Sequence, residues 1–410
     1  MSAPLAPLPT GIRLTALDPE FREDPYPILA EIRRREPIHR DEELGRVLFT
    51  RHDDVARILR DPDYWSDPRK GVPDGFARRF LVRNMDEEPN MLLMDDPGHR
   101  RLRELVRHPF APRAVARWTE RVCAVATRVI DAARPNERGE IDLIAAIANP
   151  IPTVVIAELL GIDPEQHDRF KAWSDAVVKT AFSPIAAPED VAAADAAREA
   201  LGGFFLGEIE RRRSAPGDDL VSAMVTAEAA GDRLSNEEIV SLCTLLLLAG
   251  NVTTSDLIGN AVRALLRHPA ELAKLRAQPG LMPNTIEEAL RYDSPVTNSG
   301  RIAHRAFEYD GVKIREGESL IVSTAAANRD PAIYPDPDRF DIEREDTHHQ
   351  AFGGGRHFCL GAHLARLEAS ETLAVLLGRF PRLAIGEGGH VYAANPTFRG
   401  LSSFWVRVAD

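Results

Sequence analysis

Cysteine is scarce in this chain: Cys123, Cys243 and Cys359 are the only three among 410 residues. An odd number spread so far apart fits neither a disulfide framework nor a zinc spacing, and a reducing compartment suits it best. Basic charge is also short. Fifty-one Lys and Arg against 63 Asp and Glu leave a formal charge of −12, which argues against general nucleic-acid binding, and no basic tail offsets it. Long apolar runs are missing too. The most apolar run, Leu242 to Ala249, is too short to span a bilayer. The N-terminus, MSAPLAPLPTGIRL, lacks the charged region and apolar core of a signal peptide. A cytoplasmic protein with no membrane and no nucleic-acid partner is expected. No repeat, low-complexity linker or shift of composition divides the chain, so 1–410 reads as one domain, with 1–27 a proline-rich irregular arm.

One of the few cysteines stands where chemistry needs it. Phe352 to Glu368 reads FGGGRHFCLGAHLARLE, with Gly353, Gly354 and Gly355 suited to a tight backbone path against something flat and bulky. After Cys359, apolar residues recur at Leu360, Leu364, Leu367, Leu373 and Leu377 with helical rhythm. A cysteine at a helix N-terminus is favoured as thiolate by the dipole and the free N–H groups. Such a thiolate can hold haem iron by sulfur. A bare cysteine beside glycines is more often a buried, inert thiol; the complete spacing here decides against that.

The run Phe352, Gly353, Gly355, His357, Cys359, Gly361 resembles the haem-binding signature of the cytochrome P-450 haem-thiolate monooxygenases. The resemblance extends along nearly the whole chain through three weaker motifs in the family's order. His99 and Arg103, four apart on one helical face, resemble the pair that grips the haem propionates; without the family a solvated basic face is the simpler account. Ala249-Gly250-Asn251-Val252-Thr253-Thr254 lies in a long helix running from a capping box at Ser235 and Glu238 to Pro269, and it resembles the oxygen-activation motif. Glu288 and Arg291, at i, i+3, resemble the structural pair behind the haem, with Arg339 of Pro337-Asp338-Arg339-Phe340 as the usual third member.

The resemblance implies a mainly α fold with a minor β-rich region, haem b (iron protoporphyrin IX) with Cys359 as axial metal ligand, and further haem contacts from Arg301, His357, Phe352, Gly353 and Gly361. Thr253, with Gly250 shaping the helix and Asn251 and Thr254 beside it, is the oxygen-side group. Val296, Phe398 and Ala249 are candidate pocket residues for a small apolar or aromatic substrate. Dioxygen supplies the inserted atom, and NAD(P)H supplies electrons through a separate ferredoxin or flavodoxin. That donor would dock on a basic proximal surface built from Arg100, Arg107, Arg113, Arg117 and Arg366. Asp67 to Pro89 is expected to be a long loop over the haem, and Phe182 to Pro188 a candidate lid.

One position departs from the pattern. Where the family usually has an acid, this chain has Val252, which cannot relay a proton. Delivery then falls to Asn251, Thr254, Asp256 or ordered water, and a peroxide-driven or non-hydroxylating reaction stays open as an alternative. A non-catalytic haem sensor is the more distant one.

Overall fold

The capping box expected at Ser235 is formed. Ser235 Oγ accepts from Glu238 N–H, the Glu238 carboxylate accepts from Ser235 N–H in return, and one unbroken helix runs Asn236–Arg267. At 1.5 Å per residue its 32 residues span roughly 48 Å. The computed structural model describes residues 6–82, 84–86, 88–180, 187–229 and 231–408. Around this central helix pack Pro150–Leu159, Pro188–Ser214, Met282–Tyr292 and Ala362–Arg379, and Thr119–Ala132 packs on the last of these. Most of the apolar core is one cluster on these helices. By length and composition the central helix could cross a membrane, but 50% of its most apolar window is buried inside the fold, as befits a core helix.

The β structure is minor and lies to one side. Strands β1 (Ile38–Asp41) and β2 (Arg46–Phe49) form a hairpin. β2 then pairs in parallel with a strand far along the chain, Ser319–Ser323, whose other edge carries Asn298–Ile302. That sheet carries Arg301, paired with Leu320. A second sheet orders Ala384–Tyr392, Leu401–Arg407 and Glu140–Asp142, and the turn between its first two strands carries Phe398. The fold is thus mainly α with small sheets, as expected.

The N-terminal arm is more ordered than its prolines suggest. Asp18 caps Pro19–Glu23 by accepting from the N–H groups of Glu20 and Phe21, and Phe21 and Tyr26 are buried. A capping Asp followed by Pro at the first helical position is a start signal that the irregular reading of 1–27 overlooks. Within Asp67 to Pro89 the described residues form the expected loop with short helical pieces, Pro68–Lys70 and Phe76–Leu81. The candidate lid at Phe182 to Pro188 falls largely outside the described residues.

Candidate active site

Cys359 lies three residues ahead of the helix Ala362–Arg379. Its N–H donates to Phe352 O at 3.0 Å, closing the loop. The side chain sits deep in the protein, yet its surface is open, the mark of a group that lines an internal space. Burial pushes the thiol pKa up, while a hydrogen bond from Gly361 N–H and the charges of Arg103 and Arg366 pull it down without reversing the shift. The dipole argument from sequence is therefore outweighed by desolvation. The glycines also differ from expectation. Gly355 has φ +64, and a Cβ there would stand 2.6 Å from Leu59 O. Gly355 is needed for close approach to the helix His52–Arg60, while Gly353 (φ +68) has open space around it.

The predicted propionate residues converge on one cluster. The rings of His99 and His357 lie 4.1 Å apart. Arg103 Nη2 donates to Phe358 O at 2.6 Å, beside the cysteine. Arg301 is 7% exposed and donates only to Gly300 O at 2.8 Å and Ser299 Oγ at 3.4 Å. Burial and then Arg356 bring its pKa down to about 10, with Asp95 offsetting at a distance. Burial, then Arg301, His99 and the neighbouring guanidiniums, push His357 down to about 2. His99 Nδ1 is buried without a hydrogen bond, 3.6 Å from Asp96 Oδ1. Ser66, which sequence reasoning missed, binds His357 Nε2 at 3.0 Å. Arg301, buried and with no carboxylate contact among the described residues, suits the two carboxylates of a haem together with the two imidazoles and half-buried Arg103, and the open thiol suits its iron. The residues present fit that cofactor.

The central helix packs on the helix that follows Cys359. Leu246, Ala249, Gly250 and Thr253 are accessible, at the i, i+3, i+4, i+7 spacing of one face, while the flanking Leu245, Leu247, Asn251 and Thr254 are buried. The middle of the helix is therefore not buried all round; it shows one open stripe. Of the expected oxygen-side residues, Gly250 and Thr253 lie on it. Asn251 does not: its Nδ2 donates to Ser174 Oγ at 3.3 Å, in the packing between helices. Thr254 is likewise buried, at 2% exposure. Gly250 neither breaks the helix nor makes a close approach, since a Cβ there would meet nothing within 4 Å. It leaves the stripe open. Thr253 Oγ1 donates to Ala249 O at 2.7 Å.

Val296 and Phe398, more than a hundred residues apart, meet in an antiparallel bridge. Behind the site, Glu288 and Arg291 form a fully buried two-pronged pair at 2.7 and 2.8 Å. The third member is not Arg339, whose side chain is 59% exposed and turned to Asp341; only its backbone carbonyl accepts from Arg291. Arg344 takes that place, with Nε 3.3 Å from Glu288 Oε2. It lies five residues further on, where the P-x-R-F pattern gives no signal. Arg366 is not a free member of the basic surface either, because it binds Glu287 at 2.6 and 2.8 Å.

Comparison with known proteins agrees with this geometry. The family model described as Cytochrome P450 matches residues 69–388. The cytochrome P450 monooxygenase PikC of Streptomyces venezuelae is 38% identical over 97% of this chain and 94% of its own length. The 6-deoxyerythronolide B hydroxylase of Saccharopolyspora erythraea is 36% identical over 95% of this chain and 97% of its own. Among solved structures, the Bacillus subtilis 168 bacillaene polyketide synthase cytochrome P450 PksS superposes with a TM-score of 0.87 at 33% identity, covering 96% of this chain and 99% of that one. With the thiol, the cationic cluster and the open helix stripe in one fold, the chain belongs to the cytochrome P450 family of haem-thiolate monooxygenases.

Proposed function

We propose that this protein inserts one oxygen atom from dioxygen into a C–H bond or heteroatom of an apolar or aromatic organic substrate, with haem b on Cys359. The observation that carries the reading is the deep, open Cys359 thiol together with a buried Arg301 guanidinium that no carboxylate contacts among the described residues. Haem, when bound, supplies the redox chemistry that activates dioxygen. The chain's own groups do the rest. Arg301, His99, His357 and Arg103 bind the propionates, and Gly361 N–H steadies the sulfur. Thr253 borders the oxygen side. Val296, Phe398 and Ala249 exclude water and orient substrate.

Electrons come from NAD(P)H through a ferredoxin or flavodoxin on the cysteine side. Arg100, Arg113 and Arg117 are exposed, and Pro112–Val115 packs on the helix that follows Cys359. Phe358, 40% exposed, adds an apolar contact next to Cys359 and Arg103. Arg107 is partly neutralised by Glu104 at 2.7 Å. An acidic donor of this kind belongs in the cytoplasm.

The test is an optical titration of the ferric protein with macrolactones, steroids, fatty acids, terpenoids and aromatic acids. One class should convert the iron from low to high spin. Silence across the panel, from protein whose reduced CO complex carries the thiolate signature, would overturn the apolar-substrate reading. The peroxide-driven alternative rests on Val252; product formed with peroxide but with no donor system would favour it.

A further inference from the structure

Monooxygenation consumes two electrons and two protons: one oxygen atom enters the substrate and the other leaves as water. Where those protons come from is an open question in this chain. Val252 has no proton to give. The Thr253 proton is committed to Ala249 O, so its oxygen accepts rather than supplies. The central helix holds three carboxylates in all, and Glu237 and Glu238 sit in its capped first turn. The third is Asp256.

Asp256 lies three residues past Thr253, within side-chain reach on the same side of the helix. Unlike nearby Asp293, it has no hydrogen bond and no ion pair among the described residues. Its pocket is shaped to leave it room: a methyl group at Gly400 would overlap the carboxyl. One turn further along, Asn260 Nδ2 is held by Asp293 O at 3.0 Å and Arg399 O at 2.8 Å, while its Oδ1 is buried with no donor. An orphaned acceptor beside an unpaired acid is the arrangement a protonated carboxyl would complete. Burial and then Asp293 raise the Asp256 pKa to about 8. The other charged groups of this region do not offset that: Arg399 is bound to Asp293, as are the hydroxyls of Tyr26 and Tyr392.

We propose that Asp256 is the proton-relay residue of the oxygen side, giving its proton through ordered water that the Thr253 oxygen helps to hold and regaining one from solvent after each turnover. It takes over the task for which Val252 is unfit. The inference rests on the oxygenase reading above.

The test uses the haem-loaded protein without substrate. Infrared spectra should show a protonated-carboxyl stretch that disappears in Asp256→Asn and titrates near pH 8. The reduced protein, mixed with dioxygen, should return to the ferric state about tenfold or more slowly in Asp256→Asn and lose its pH step. Adding Val252→Glu in that background should restore the rate. Val252→Glu alone, should Asp256→Asn lose its thiolate CO spectrum, should move the pH step away from 8. The proposal is overturned if the carboxyl stretch survives Asp256→Asn, or if rate and pH step ignore both substitutions. Wild-type protein that does not react with dioxygen at all would overturn the oxygenase reading and this inference with it.

Discussion

Two buried clusters of charge, both built around arginine, have opposite character. Around Glu288 every donor is spoken for. Arg291 binds Glu288 through two nitrogens and spends its remaining donors on the carbonyls of Asn328, Pro337 and Arg339, while Asp341 N–H fills Glu288 Oε1 at 2.8 Å. Arg301 itself touches no carboxylate among the described residues, His99 Nδ1 in the same cluster has no hydrogen bond, and positive groups depress one another's pKa. Taking charge out of water is costly unless a partner replaces the hydration. A cluster that carries its own partners serves the fold. One that lacks them is arranged for a ligand, here the haem carboxylates.

The sharpest way to break this contrast is Glu288→Ala. Leaving Arg291 buried and unpaired should cost about 3–5 kcal/mol, and chemical denaturation should find little folded protein with or without added haem. Arg301→Ala should do the reverse. Without haem its stability should be unchanged or higher, whereas haem retention should weaken by about 1.5–3 kcal/mol, the worth of a hydrogen bond to a charged group. Transfer of haem to apomyoglobin, about ten- to a hundredfold faster, would register it. Equal loss of stability from both substitutions would remove the distinction.

A half-buried acid with no partner among the described residues sharpens the contrast further. The folded pKa of Asp256, about 8, lies above the ordinary 3.8, so between those values the native state holds a proton that the unfolded chain has released. Stability must then fall as pH rises through that window and level off above it. Thermal melts of wild type against Asp256→Asn should diverge by a few degrees between about pH 5 and pH 8, with wild type losing ground. Parallel curves would contradict the shift. The smallest effect separates two arginines. Arg344→Ala, next to Glu288, should destabilise by about 1–3 kcal/mol, and Arg339→Ala, exposed, by less than about 0.5 kcal/mol.

What was legible in the sequence follows the same division. The cysteine loop, the capping box and the Glu288–Arg291 pair are local patterns, so periodicity and spacing locate them directly. The convergence of His99, Arg301 and His357 became legible only through the family resemblance, since no local rule brings strands and loops 200 residues apart together. Asn251 and Arg339 were misplaced for one reason: a motif assigns positions, and helix rotation or a turn decides which side chain points inward. Ser66 and Arg344 left no signal, because a serine in a loop and an arginine past a turn acquire meaning only from tertiary contact. The arm was read from its prolines, although Asp18-Pro19 announces a helix.

Phe398, bridged to Val296, precedes Arg399, whose Nε binds Asp293 at 2.6 Å and whose Nη1 binds Arg22 O at 2.7 Å. Tyr26 Oη closes the circuit on Asp293 at 2.8 Å. Arg22 and Tyr26 are thereby buttoned to the turn that carries Phe398. On the function proposed above, that turn meets the substrate, and changes around Arg22 and Tyr26 would retune its stiffness and with it selectivity.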